Sequence, residues 1–385
     1  MGSSVDLSDV PTVDVHCFSF APNEKMSKHS LARLFTAGGP TVMSVKTRPG
    51  ANELGTSVAY GRLIHELSLL LGTGKDEADV LAARNREAHN FAGYVKMLME
   101  DAKLTTLFLD NGIEPTPFEE FSSFVKLRLR RTFRIEPLIK RLLEDSRDFA
   151  ELLQEFDRVT AAAVTKGGFI GFKSVIAYRT GLGIEPASET DARRSFGRRG
   201  VRDERGWFGP KVKLLRDFLL RRTAETAYRH GVFLQIHTGL GDTDVVADKC
   251  NPLRLKAFLM QEEVLKTKVI LIHGGFPYTT EAAWLSSVFH NVYFELSTPF
   301  PPTYMPALSK RRILDVLEMV PASRVLYGSD SIEIPELHWL AAKITKRSLG
   351  EALEELLSSG VISEKDARRI GGDVLSKNAT SLVRR

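Results

Sequence analysis

The chain has 385 residues, of which 43% are hydrophobic and 26% charged, with a formal net charge of +5. This profile belongs to a chain that buries a core, and it excludes a disordered tail, a linker or a membrane-embedded protein. The positive charge is concentrated in Lys126–Arg134 and Arg193–Arg205, but no aromatic-basic interleave accompanies it, so nucleic acid is not the expected partner.

Residues 1–6 lack the basic start and apolar stretch of a signal peptide, and no later run approaches the roughly 20 apolar residues of a membrane span. The expectation is a cytoplasmic protein with no membrane segment. Cys17 and Cys250 are the only cysteines, which implies no disulfide framework.

Along the chain, eight short runs rich in Val, Ile, Leu and Phe read as buried parallel strands: Thr12–Cys17, Thr105–Asp110, Arg131–Glu136, Gly168–Ser174, Val232–Thr238, Lys268–Gly274, Val292–Ser297 and Arg324–Asp330. Amphipathic stretches alternate with them, namely Pro137–Leu153, Lys211–His230, Leu253–Thr267, Thr279–Phe289 and Ser309–Met319. Strand-helix alternation predicts an α/β protein with a parallel sheet, and eight strands close a (β/α)8 TIM barrel. A single domain over residues 1–385 fits, because such barrels range from about 250 to over 400 residues.

Two connections exceed a simple crossover. Residues 19–104, with helical patterns near Glu24–Phe35, Ser57–Leu71 and Lys75–Asp101, read as a helical cap inserted after the first strand. Residues 181–210, rich in Gly, Arg and Asp, read as a mobile loop near the active face.

In such barrels the catalytic groups sit at the C-terminal ends of the strands. That rule gathers His16 from the first strand, Glu136 from the third, Lys173 from the fourth, His237 from the fifth, His273 from the sixth and Asp330 from the eighth. Imidazoles and a carboxylate suit zinc and similar divalent ions. A bound ion lowers the pKa of water towards about 7 and polarises a carbonyl, while an Asp or His beside it handles the proton. Each residue also has a structural reading: a lone strand-end His packs, Asp330 caps a following helix, and Lys173 pairs with Glu136. Their joint placement at one end of separate strands favours chemistry. Arg179 is a further candidate for holding a substrate carboxylate, through the bidentate fork of its guanidinium.

These residues, in this order, resemble the amidohydrolase superfamily (amidohydrolase 2 type), which carries a histidine motif on strand one, histidines on strands five and six, and an aspartate on strand eight. The segments Phe172–Leu182 and Gln235–Asp242 with Asn251–Leu253 are most similar to the amidohydrolase-like domain fused to glutamine-synthetase-type domains in nodulin-related proteins. The residues after Asp330 leave room only for closing helices, so no synthetase domain is expected here.

The resemblance implies a divalent metal, zinc first with manganese or iron as alternatives, held by His16, His237, His273 and Asp330. It makes Asp330, His273 and Lys173 the catalytic group, with Lys173 either a carbamylated metal bridge or a charged clamp. Glu136 and Arg179 are then substrate contacts. It also points to a homo-oligomer acting on a small molecule. The implied reaction is hydrolysis of a C–N bond, amide or amidine-like; a decarboxylase of the same fold is the alternative. One departure stands out: His-X-His in the family is His16-Cys17-Phe18 here. Strand alternation puts Phe18 on the His16 side and Cys17 on the other, so a ligand is lost, which also leaves a metal-free binding or regulatory protein open.

Overall fold

The computed structural model describes residues 5–35, 53, 55–200, 202, 207–242, 245–298 and 306–383. Eight parallel strands form one sheet in sequence order: β1 Thr12–Cys17, β2 Leu104–Asp110, β3 Arg128–Arg134, β4 Gly171–Ser174, β5 Phe233–His237, β6 Val269–Ile272, β7 Val292–Glu295 and β8 Val325–Leu326. Hydrogen bonds from Val15 N to Tyr327 O (3.1 Å) and from Phe18 N to Ser331 O (2.9 Å) join β1 to β8 and the loop after it. The sheet thereby closes as a (β/α)8 barrel.

The strands form where apolar side chains are demanded on both faces. Inside the barrel, Val13, Val15, Phe108, Phe233, Ile270, Ile272 and Leu326 make one cluster; outward-facing partners such as Leu107, Leu109, Phe172, Leu234, Ile236 and Leu271 pack under the helices. The helices start and stop at local signals. Asp148 caps Phe149–Thr165 by accepting from Glu151 N, and Gly231 ends Lys213–His230 at φ +66°, turning the chain directly into β5.

Three expectations change in detail. Pro137–Leu153 is two helices, Ile135–Asp145 and Phe149–Thr165, and Leu253–Thr267 is broken into short turns. Within residues 181–210, read as a loop, the described residues include a helix over Glu189–Gly197 capped by Ser188, which Ser195 ties down through a hydrogen bond to Lys211 O (2.8 Å); residues 201 and 203–206 fall outside the described residues. Between β1 and β2 lie helices Lys28–Arg33, Val58–Leu71, Glu77–Glu87 and Phe91–Asp101, while residues 36–52 and 54 of that segment fall outside the described residues.

These helices dock on the long helix Pro335–Ser358. Fully buried Arg84 donates from Nε to Glu336 Oε1 (2.6 Å), Tyr94 donates its hydroxyl to the same oxygen (2.9 Å), and Trp339 Nε1 donates to Asp101 Oδ2 (2.7 Å). Removing one partner of a buried ion pair strands the other. Arg84→Ala is therefore expected to cost about 3–5 kcal/mol in urea unfolding, whereas breaking the exposed pair Lys96–Glu100 changes stability by less than about 1 kcal/mol.

Candidate metal centre at the barrel mouth

Strand geometry delivers the polar groups to one end. On β5 the inward positions are Phe233, Gln235 and His237, so the last inward residue at the mouth is a histidine. Lys173 lies in register with Arg134 on one side and Gln235 on the other. On β1, strict alternation from Val13 and Val15 would turn His16 outward. A bulge corrects this: Asp14 pairs with Leu107 and Cys17 with Leu109, so three steps on β1 face two on β2, and the extra residue re-aims His16 inward. Beyond β6 and β8 the backbone enters the left-handed region at His273 (φ +70°) and Asp330 (φ +54°). For residues other than glycine that conformation costs on the order of 1–3 kcal/mol each, a cost commonly found at functional sites.

The result is a compact set. His16 Nε2 lies 3.1 Å from Asp330 Oδ1 and 3.3 Å from Lys173 Nζ, and His273 Nε2 lies 4.0 Å from Asp330 Oδ2. Ligand atoms of His16, His273 and Asp330 all fall within 4.8 Å of one another. The His237 ring stands against His273, centroids 4.5 Å apart, with Tyr178 on its other side at 4.6 Å. His237 Nε2 is 2.9 Å from Leu240 O; a carbonyl only accepts, so Nε2 carries the proton and Nδ1 keeps the lone pair. Phe18 packs edge-on to His16 at 5.5 Å, on the expected side, and Cys17 points away with its thiol towards Phe108 O (3.7 Å).

Burial sets the protonation states. It pushes His16, His237 and His273 well below the usual histidine range, helped by the positive charge of Lys173, so all three imidazoles are neutral and have a lone pair to offer. Burial raises Asp330, against the opposing pull of Lys173, and brings Lys173 down to about 8. Neutral imidazoles and a carboxylate in such close array are the donor set of a divalent metal site.

Two expected contacts move. β3 stops at Arg134, and Glu136 belongs to the first turn of the following helix. Its Oε1 accepts from Ser174 Oγ (2.6 Å) and Val175 N (2.8 Å) instead of pairing with Lys173 or facing the mouth. Arg179 stacks on Trp207, its guanidinium carbon 3.7 Å from the ring centroid.

Four residues at the mouth escaped the sequence reading. Arg134 is locked to Asp110 by hydrogen bonds from Nε to Oδ1 (3.0 Å) and Nη2 to Oδ2 (2.5 Å), with its guanidinium over Phe18. Glu295 and Ser297 stand behind His273, whose Nδ1 lies 2.8 Å from Ser297 Oγ. The period-2 rule that selected Glu136 points equally to Arg134. Read along β7, it marks Glu295 and Ser297 as an inward pair.

The fold and this mouth define a metal-dependent barrel enzyme type, and a sequence profile of the amidohydrolase family matches residues 150–385. The chain belongs to that family. Protein fluG of Emericella nidulans is 30% identical over 359 residues, covering 85% of this chain but 41% of fluG; the chain thus spans less than half the length of that curated relative. A crystal structure from Lactobacillus casei ATCC 334, described as a candidate metal-dependent hydrolase, superposes with a TM-score of 0.83 at 26% identity, covering 99% of this chain and 98% of that one. Uronate isomerase from Thermotoga maritima matches with a TM-score of 0.72 at 15% identity over 98% of this chain and 95% of its own, a likeness of fold. No helix among the described residues is long and apolar enough to cross a membrane.

The same burial makes the metal-free protein acid-sensitive. A histidine whose folded pKa lies below its unfolded value of 6.5 contributes stability that is complete above pH 6.5 and lost as pH falls towards the folded value. His338, fully buried behind β1 and brought down to about 3, is expected to contribute a slope of about 1.4 kcal/mol per pH unit below 6.5. Urea titrations from pH 7 to pH 4 on His338→Phe should show the slope shallower by that amount; an unchanged slope would mean the ring is solvated.

Proposed function

We propose that this chain is a metal-dependent hydrolase that cleaves a C–N bond, amide or amidine-like, in a small substrate bearing a carboxylate. The observation that carries this reading is the convergence of His16, His273 and Asp330 donor atoms within 4.8 Å at the barrel mouth, with His237 beside them. A single divalent ion, zinc first with manganese or iron as alternatives, fits these donors. Phe18 removes the donor that a fuller site would have. Such an ion supplies Lewis acidity to a carbonyl oxygen and eases deprotonation of water.

The chain's own residues supply the rest. Asp330, its pKa raised by burial, takes a proton from the attacking water and returns it to the leaving nitrogen. Lys173 acts as a charged clamp: with His273 it stabilises negative charge developing on the carbonyl oxygen. Arg134, held rigid by Asp110, offers its remaining donors to a substrate carboxylate, and Arg179 flanks the entry. The segment 19–104 is an insertion in one barrel unit in this reading, a reducing compartment such as the cytoplasm suits the unpaired Cys17 and Cys250, and the homo-oligomer rests on the family resemblance alone.

Elemental mass spectrometry on protein purified without chelators should find about one divalent metal per chain, and His237→Ala should lose most of it. With an amide substrate that releases ammonia or an amine, Asp330→Asn should lower kcat, expressed per bound metal ion, by about 10²–10⁴, and should also weaken metal retention because its carboxylate is one of the donors. Carbon dioxide as product would move the reaction to the lyase class. Failure to bind any divalent ion would show that Phe18 has disabled the centre.

A further inference from the structure

We propose that Glu295, acting through Ser297, is a positioning residue that fixes His273 as its Nδ1–H tautomer and so turns the Nε2 lone pair towards the mouth. This goes a step beyond the metal-centre reading and rests on it only for its consequence. The tautomer itself is a property of the metal-free protein.

The hydrogen-bond chain permits one assignment. Glu295 is fully buried on β7, and its carboxylate accepts from three donors: Ser297 N to Oε1 (2.5 Å), Ser297 Oγ to Oε2 (2.7 Å) and His273 N to Oε2 (2.9 Å). Burial raises the Glu295 pKa and these three donors pull it back; donors converging on both oxygens are the geometry of an ionised carboxylate. A serine hydroxyl has one proton, and here it goes to the carboxylate. Ser297 Oγ can therefore only accept from His273 Nδ1, 2.8 Å away. A neutral imidazole protonated at Nδ1 holds its lone pair on Nε2, the atom that faces Asp330 Oδ2.

The surroundings keep this relay in place. Arg312 donates to the carbonyls of Leu296 and Ser297 and anchors the serine. At position 328 only glycine leaves room for the carboxylate, since a Cβ there would lie 2.3 Å from Glu295 Oε1. His237 is oriented in the opposite sense, by a backbone carbonyl on Nε2. The two neighbouring rings thus present different nitrogens, each selected by its outer partner.

The test is long-range ¹H–¹⁵N NMR on ¹⁵N-histidine-labelled, chelator-treated protein, with His273 identified by comparison with His273→Gln. Wild type should show Nδ1–H. In Glu295→Gln the amide donates to Ser297 Oγ, whose proton then turns towards Nδ1, and His273 should switch to Nε2–H. Ser297→Ala should remove the preference and Ser297→Thr should restore it, and this second pair carries the test if Glu295→Gln does not fold. Zn(II) affinity from chelator competition should fall about 10–100-fold in Glu295→Gln. A merely structural Glu295 would lower Tm but leave the tautomer alone. Nε2–H in wild type, or Nδ1–H unchanged in folded Glu295→Gln and Ser297→Ala, overturns the proposal. The expected tautomers without any Zn(II) binding would uphold it and reject the metal centre.

Discussion

The carboxylate of Asp14 is the joint on which the site depends. It accepts from Ser329 Oγ (2.5 Å), Ser329 N (3.1 Å) and His16 N (3.1 Å), stitching the first strand to the turn after the last. Across the same seam Asp330 N donates to His16 O (2.9 Å). His16 and Asp330 are consequently neighbours because the barrel closes there, and any loosening of the seam separates a donor imidazole from its carboxylate. The cost of burying Asp14 is met by these donors, though burial still brings its pKa up to about 7.

Electrostatics at the mouth follows from the same enclosure. A low-dielectric pocket penalises every charge, so three imidazoles lose their protons, Asp330 resists ionisation and Lys173 weakens as a base. A divalent cation would suit the neutral imidazoles and draw Asp330 to its ionised form, while pressing Lys173 further towards the neutral amine. Arg134 avoids the penalty differently, by carrying its own counter-ion in Asp110. It therefore stays charged whether or not a ligand is present.

Much of this was legible in the residues. Eight apolar runs gave the strand count, and the strand-end positions of His16, Lys173, His237, His273 and Asp330 were enough to assemble the ring. Phe18 was correctly placed beside His16 because strand alternation is strict over two residues. Glu136 was misplaced because a polar residue at a strand end and one in the next helical turn look alike in sequence, and Pro137 immediately after it suits both. The β1 bulge left no signal, because it depends on pairing with Leu107 and Leu109 more than ninety positions away. The period-2 pattern marks Glu295 and Ser297 as inward, but not their role, which lies in the proximity of His273 in the turn after β6.

The seam at Asp14 also imposes an order in time. Its partners are separated by 315 positions in the chain, so the loop-closure entropy of joining them is among the largest the fold must overcome. Every other strand pair can form from nearer neighbours. A growing or refolding chain therefore acquires its helices and inner strands well before its mouth. Until Ser329 reaches Asp14, His16 has no carboxylate beside it, and a partly built barrel has no assembled centre with which to take up a metal.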